Sequence, residues 1–210
     1  MTTLIALHGF SQNGAEMRRQ MGELGVKLAE GMHVIYPDGP VPCSTEMVEK
    51  VYGTGLVEDH GGPYQSWWRA SDDGSTYEGW EKSRDQMGSL ISEQEEVGLI
   101  GFSQGAILST AVAALSQAGL LPPIKFVVLL AGAAPRAHVF SPLLKEPLQV
   151  PSLHVWGKRD ALMRKGAPDL VTRFSEATRQ VVNFDLGHVI PKDGDPAEKV
   201  LAFVRSQAHL

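Results

Sequence analysis

Five residues, Gly101-Phe102-Ser103-Gln104-Gly105, constrain this chain more than any others. The apolar run Val97-Gly98-Leu99-Ile100 leads into them, and an alanine-rich amphipathic stretch leaves them and continues through Leu115. A strand that becomes a helix across Gly-x-Ser-x-Gly forms a nucleophile elbow, a turn so tight that its serine is held strained with Oγ raised above the sheet edge. Gly101 and Gly105 omit the Cβ atoms that would collide as strand and helix close on each other. In a chain with 22 glycines the five-residue pattern is a weak signal alone; the flanking strand and helix give it weight.

Apolar runs and turn residues arrange the rest of the chain as alternating strands and helices. Residues 3–7 read as a short buried strand, 15–30 as a helix with Met17, Met21, Leu24 and Leu28 at three- and four-residue spacings, and 33–36 as a second strand. Residues 81–94 are helical in pattern, and 125–131 and 153–156 read as further strands. A helix over 167–177, a last strand over 180–184 and a closing helix over 195–207 follow, with Pro196 in the first turn of the last. Unbroken apolar strands separated by helices predict an α/β fold with a mainly parallel twisted sheet and helices on both faces. One domain is expected over residues 1–210, with irregular inserts at about 41–80 and 133–150.

Functional groups of such a sheet gather beyond the carboxyl ends of its strands. Ser103 follows one strand, Asp160 follows Leu153-His154-Val155-Trp156, and His188 follows Val181-Val182-Asn183-Phe184. A serine hydroxyl needs a base to take its proton, an imidazole does this and returns the proton to the leaving group, and a carboxylate fixes the imidazole's tautomer. Among rivals, His8, His33 and His60 precede the elbow, His154 lies inside a strand, His138 precedes any plausible acid, and His209 is at the tail. Asp185 is three residues from His188, Asp193 and Asp195 read as turn and cap, and Asp169 lies in a helix. Asp160 remains, with a turn-capping role as its alternative. The backbone N–H of Gln104, at the start of the elbow helix, faces a developing oxyanion. The second donor is expected in His8-Gly9-Phe10-Ser11, from Phe10. His8 reads as a structural hydrogen bonder under that loop, and Ser11 or Asn13 as the cap of the helix that follows.

The chain's bulk properties remove whole classes. A net charge of −5 and the lack of any dense Lys/Arg cluster argue against a nucleic-acid partner. The single cysteine, Cys43, cannot form an internal disulfide and fits a reducing compartment. It reads as a loop or cavity-wall thiol. No leader-like segment and no membrane span is read, so a soluble cytoplasmic protein is expected. No metal site is read, since neither His-x-x-x-His nor Cys-x-x-Cys occurs, and no cofactor is expected because no strand is followed by Gly-x-Gly-x-x-Gly. Oligomeric state has no sequence signal.

Three blocks together, Leu7-His8-Gly9-Phe10-Ser11-Gln12-Asn13-Gly14, the elbow through Ala106, and Gly157-Lys158-Arg159-Asp160 with Gly187-His188-Val189-Ile190-Pro191, resemble the FSH1-like serine hydrolase family of α/β-hydrolases. Tyr36-Pro37-Asp38-Gly39-Pro40 and Trp67-Trp68-Arg69 are similar to further family segments, in order along nearly the whole chain. The resemblance implies hydrolysis of carboxylic esters or thioesters through an acyl-enzyme, with Ser103, Asp160 and His188 as triad and Phe10 and Gln104 as oxyanion donors. One departure is Asp185-Leu186-Gly187-His188, where the family often has a second glycine. Thioesterase or acyltransferase chemistry would run on the same triad, because only the leaving group or acceptor changes. A non-catalytic binding protein would normally lack a triad member.

The expected partner is a small-molecule acyl ester or thioester. Neither insert carries a row of charges, which favours an apolar short- to medium-chain acyl group. Trp67 and Trp68 in the first insert and Phe140 in the second are candidate walls of its site. The alternative for each is that it packs the insert onto the body.

Overall fold

The computed structural model describes residues 1–52 and 62–209. In chain order the elements are β1 (Thr2–Leu7), α1 (Gly14–Ala29), β2 (His33–Ile35), β3 (Val41–Pro42), α2 (Thr45–Tyr52), β4 (Gln65–Ser66), β5 (Arg69–Ala70) and β6 (Tyr77–Glu78). Then come α3 (Trp80–Ser92), β7 (Glu96–Phe102), α4 (Gln104–Gln117), β8 (Phe126–Leu130), a 3-10 turn (His138–Phe140), β9 (Ser152–Gly157), α5 (Gly166–Thr172), β10 (Arg179–Phe184) and α6 (Gly194–Ala208).

Six strands form one parallel sheet in the order β2-β1-β7-β8-β9-β10. The order reverses beside β1, so the crevice between the ends of β1 and β7 is where an open parallel sheet binds ligands. Side chains alternate across β1 because successive Cβ atoms in a strand point to opposite faces. Leu4 and Ala6 pack with Met17, Met21 and Leu24 of α1 and Val200 and Val204 of α6. Ile5 and Leu7 face the other way, onto Leu108, Ala111 and Val112 of α4 and Met87 and Ile91 of α3. Asn13 caps α1, its side chain accepting from Glu16 N at 2.8 Å, which settles the choice between Ser11 and Asn13.

The first insert is more ordered than its glycines suggested. It holds the helix α2 and two antiparallel ribbons, β3 with β4 and β5 with β6. Ser44 Oγ accepts from Met47 N at 3.2 Å, the geometry of a serine N-cap. Residues 53–61 of the expected insert, His60 among them, lie outside the described residues.

The expectation that Trp67, Trp68 and Phe140 wall the substrate site is not met. All three are at most 2% exposed and belong to the core cluster on the α3–α4 face of the sheet. Trp68 stacks on Tyr77 with ring centroids 4.5 Å apart, and Trp80 meets Phe140 edge-on at 4.8 Å. Large rings bury more apolar area than smaller side chains. Here they fix both inserts onto the body.

Candidate active site

Ser103 sits at φ 52°, ψ −113°, between the last residue of β7 and the first of α4. A Cβ on Gly105 would lie 2.1 Å from Leu7 O, and one on Gly101 would lie 2.2 Å from Gly105 O. Both distances are inside van der Waals contact, so only glycine lets α4 start this close to β1 and β7. Ser103 N donates to Leu130 O at 2.9 Å, and its own carbonyl accepts from Ala106 N and Ile107 N at 3.0 and 3.2 Å. The strained residue is thus held on both sides.

Two further loops deliver the candidate acid and base. Asp160 Oδ2 lies 2.7 Å from His188 Nδ1, and the carboxylate is fully buried while the imidazole side chain retains 19% exposure. The other oxygen, Oδ1, accepts from Leu162 N and Met163 N, both at 3.0 Å. Asp160 therefore caps its own turn with one oxygen and holds the imidazole with the other. With its Nδ1–H directed at the carboxylate, a neutral imidazole carries its lone pair on Nε2. The two loops are tied together by Lys158 N donating to Phe184 O at 2.8 Å and Arg159 N to Leu186 O at 3.0 Å. Asp185, the rival acid, instead faces Arg159 at 3.2 Å with both groups largely exposed.

His8 is buried, with Nδ1 2.7 Å from Gly9 O and Nε2 accepting from Gly39 N at 2.8 Å. Burial pulls its pKa down to about 4, so it stays neutral and structural, as its place before the elbow suggested. Burial likewise lowers His154 to about 4; its Nε2 is 3.1 Å from Ser152 Oγ and its ring meets Phe174 edge-on. Cys43 lies with Val48 under Phe10, and burial pushes its thiol pKa up, away from the reactive thiolate.

A cavity of about 800 Å³ brings together Phe10, Ser103 and His188. Leu186, Val189 and Ile190 from the histidine loop line it with Val48 of α2, as do the polar Arg19 and Lys192. Sequence reasoning missed this wall. The Leu186-Gly187-His188-Val189-Ile190 segment was read for its base alone, although apolar residues flank that base. Among the described residues no group of three or more His, Cys, Asp or Glu side chains could hold a metal ion, and no helix is long and apolar enough to cross a membrane.

A parallel sheet with helices on both faces and a serine elbow at the β1–β7 crevice defines an α/β-hydrolase. The fold superposes with TM-score 0.70 on the crystal structure of acyl-protein thioesterase 2 from Zea mays, at 18% identity over 99% of this chain and 94% of that one. Residues 1–200 match the model of the FSH1 serine hydrolases, and the chain belongs to that family. It is 30% identical to Esterase OVCA2 of Mus musculus, over 96% of this chain and 94% of that protein. It is also 29% identical to a Schizosaccharomyces pombe protein named dihydrofolate reductase, over 90% of this chain. The match takes in only 44% of that relative's length.

Proposed function

We propose that this serine hydrolase cleaves carboxylic esters of apolar, short- to medium-chain acyl groups through an acyl-enzyme on Ser103. The observation that carries the reading is His188, held by the buried Asp160 at 2.7 Å, lining with Ser103 one largely apolar cavity. Ser103 Oγ attacks the acyl carbonyl as its proton passes to His188 Nε2, while Asp160 stabilises the imidazolium without taking the proton. The N–H groups of Phe10 and Gln104 receive the charge on the carbonyl oxygen, a role worth about 3 kcal/mol per donor. Collapse expels the alkoxide, which takes the proton from His188, and water attacks the acyl-enzyme by the same route in reverse. The apolar side chains Leu186, Val189 and Ile190 favour an acyl chain over a charged group at this wall. A thioester would follow the same steps with a thiolate leaving group.

The test is fluorophosphonate labelling with the modified residue located by mass spectrometry. Label on Ser103, and loss of both label and p-nitrophenyl ester turnover in a folded Ser103→Ala variant, is the expected result. Label on Cys43 or on another serine overturns the assignment.

A further inference from the structure

The β1–β7 ladder ends at the pair Leu7 and Gly101. Beyond that pair no strand pairing between the two fixes the separation of the loop carrying Phe10 from the elbow carrying Gln104. Trp67 spans the gap. Its indole Nε1–H donates to His8 O at 2.9 Å, and its ring stacks on His8 with centroids 4.8 Å apart. Its backbone N–H donates to Gln104 Oε1 at 3.0 Å, and Gln104 Nε2 donates to Trp68 O at 2.9 Å. Two residues upstream, Gln65 N donates to Gln12 O at 2.9 Å, on the far side of the Phe10 loop. Trp67 is fully buried, and Ser83 Oγ anchors its carbonyl from α3.

We propose that Trp67 is a positioning residue for the oxyanion hole, clamping the Phe10 loop to the elbow helix so that both N–H donors converge on one oxygen. The inference rests on Ser103 being the nucleophile. An indole suits the task because it is rigid, fills the space between the two segments, and donates from its edge. Oxyanion donors act through fixed placement, and a displacement of about 1 Å costs on the order of a hundredfold in rate. Trp67 does not touch the reacting atoms, so its effect is confined to the transition state and leaves acyl-chain recognition alone.

The experiment compares wild type with Trp67→Phe, which keeps an aromatic ring but removes the donor to His8 O. Rates are taken per mole of protein that fluorophosphonate labels at completion, which counts only folded sites. The expected result is a fall in kcat of about tenfold or more with KM within twofold, and an unchanged chain-length profile. An arylboronate, whose tetrahedral adduct places an oxygen in the hole, weakens by the same factor. An O-aryl thionoester loses much less, because its developing sulfur anion accepts hydrogen bonds poorly even in the wild type. Gln104→Met, which accepts only weakly from Trp67 N and cannot donate to Trp68 O, shows the same pattern and takes over the test if Trp67→Phe does not fold. Equal losses on oxoester and thionoester, kcat unchanged per labelled serine, or a change confined to KM or the chain-length profile each overturns the inference. Failure of the wild type to label at Ser103 overturns the reading beneath it instead.

Discussion

Replacing Asp160 by asparagine separates the two jobs of that side chain. Oδ1 accepts from Leu162 N and Met163 N, and Oδ2 faces His188 Nδ1. In Asp160→Asn the amide oxygen stays on the two backbone donors, and the NH2 group is turned onto the imidazole. His188 is then driven to the tautomer with its proton on Nε2, which cannot accept from Ser103. Turning the amide over would strand two part-buried donors at about 1–3 kcal/mol each and regain one hydrogen bond of about 1 kcal/mol. At the middle of the resulting range, about 3 kcal/mol, fewer than about 1% of molecules hold the productive rotamer. Steady-state hydrolysis of a p-nitrophenyl ester should therefore show kcat down by at least about a hundredfold, and by as much as ~10⁴. Thermal unfolding should place Asp160→Asn near the wild type, because the cap survives. Asp160→Ala should be about 1–2 kcal/mol less stable than Asp160→Asn, because it loses the cap as well. A fall of less than tenfold in Asp160→Asn, or equal stability of the two variants, refutes the division of labour.

Two further outcomes follow from the cavity and from the buried histidines. While the acyl chain is lengthening within the cavity, kcat/KM should rise about fourfold per carbon, the equivalent of about 0.8 kcal/mol per methylene. Leu186→Ala should flatten that rise, whereas Phe140→Ala should leave it intact and cost about 3–5 kcal/mol of stability; a profile reshaped by Phe140→Ala and not by Leu186→Ala reverses this map of the walls. His8 and His154 fall from 6.5 to about 4 on folding, with burial the leading cause, so the unfolded chain binds the extra protons between those values. Stability from this source is complete above about pH 6.5 and is lost as pH falls toward 4, by on the order of 3 kcal/mol per ring. Urea unfolding across that window should show a shallower pH slope in His154→Leu, and an unchanged slope shows that His154 is not a source of the linkage.

The elements that sequence periodicity placed well are those whose burial is one-sided or complete. The strand at β1, the Met17–Met21–Leu24–Leu28 stripe of α1 and the apolar run of β7 could each be satisfied in one way only. The pairing of Asp160 with His188 was legible for a related reason, since loops after successive strands of a parallel sheet must converge at one edge. The helix α2 was hidden because its signal, a Ser44 cap and an inward Val48, is short and surrounded by turn residues. The tryptophans were misplaced because an aromatic cluster looks alike in composition whether it lines a cavity or fills a core. Deciding between those required knowing that Trp67 and Trp68 meet α3 and α4 on the face of the sheet away from α1, which is a matter of three-dimensional packing. The histidine loop was read for its base, and its flanking apolar residues became informative only once the cavity was seen beside them.

Helix α1 is broken at Gly22, which lies at φ 49°, ψ −127°, a conformation that side chains with a Cβ avoid. At the break Leu24 N turns away from its own helix and donates to Lys192 O at 3.0 Å, just beyond the histidine loop. Arg19 and Gln20, on the segment before the break, line the cavity opposite a serine held by quite different parts of the sheet. The chain thus has a joint in one wall of the cavity that shares no residue with Ser103, Asp160 or His188. A change at the joint bears first on that wall and reaches the histidine loop through the Leu24–Lys192 hydrogen bond. Substitution at this helix break would thus offer a way to reshape the cavity from a distance, without replacing any residue that touches Ser103 or Asp160.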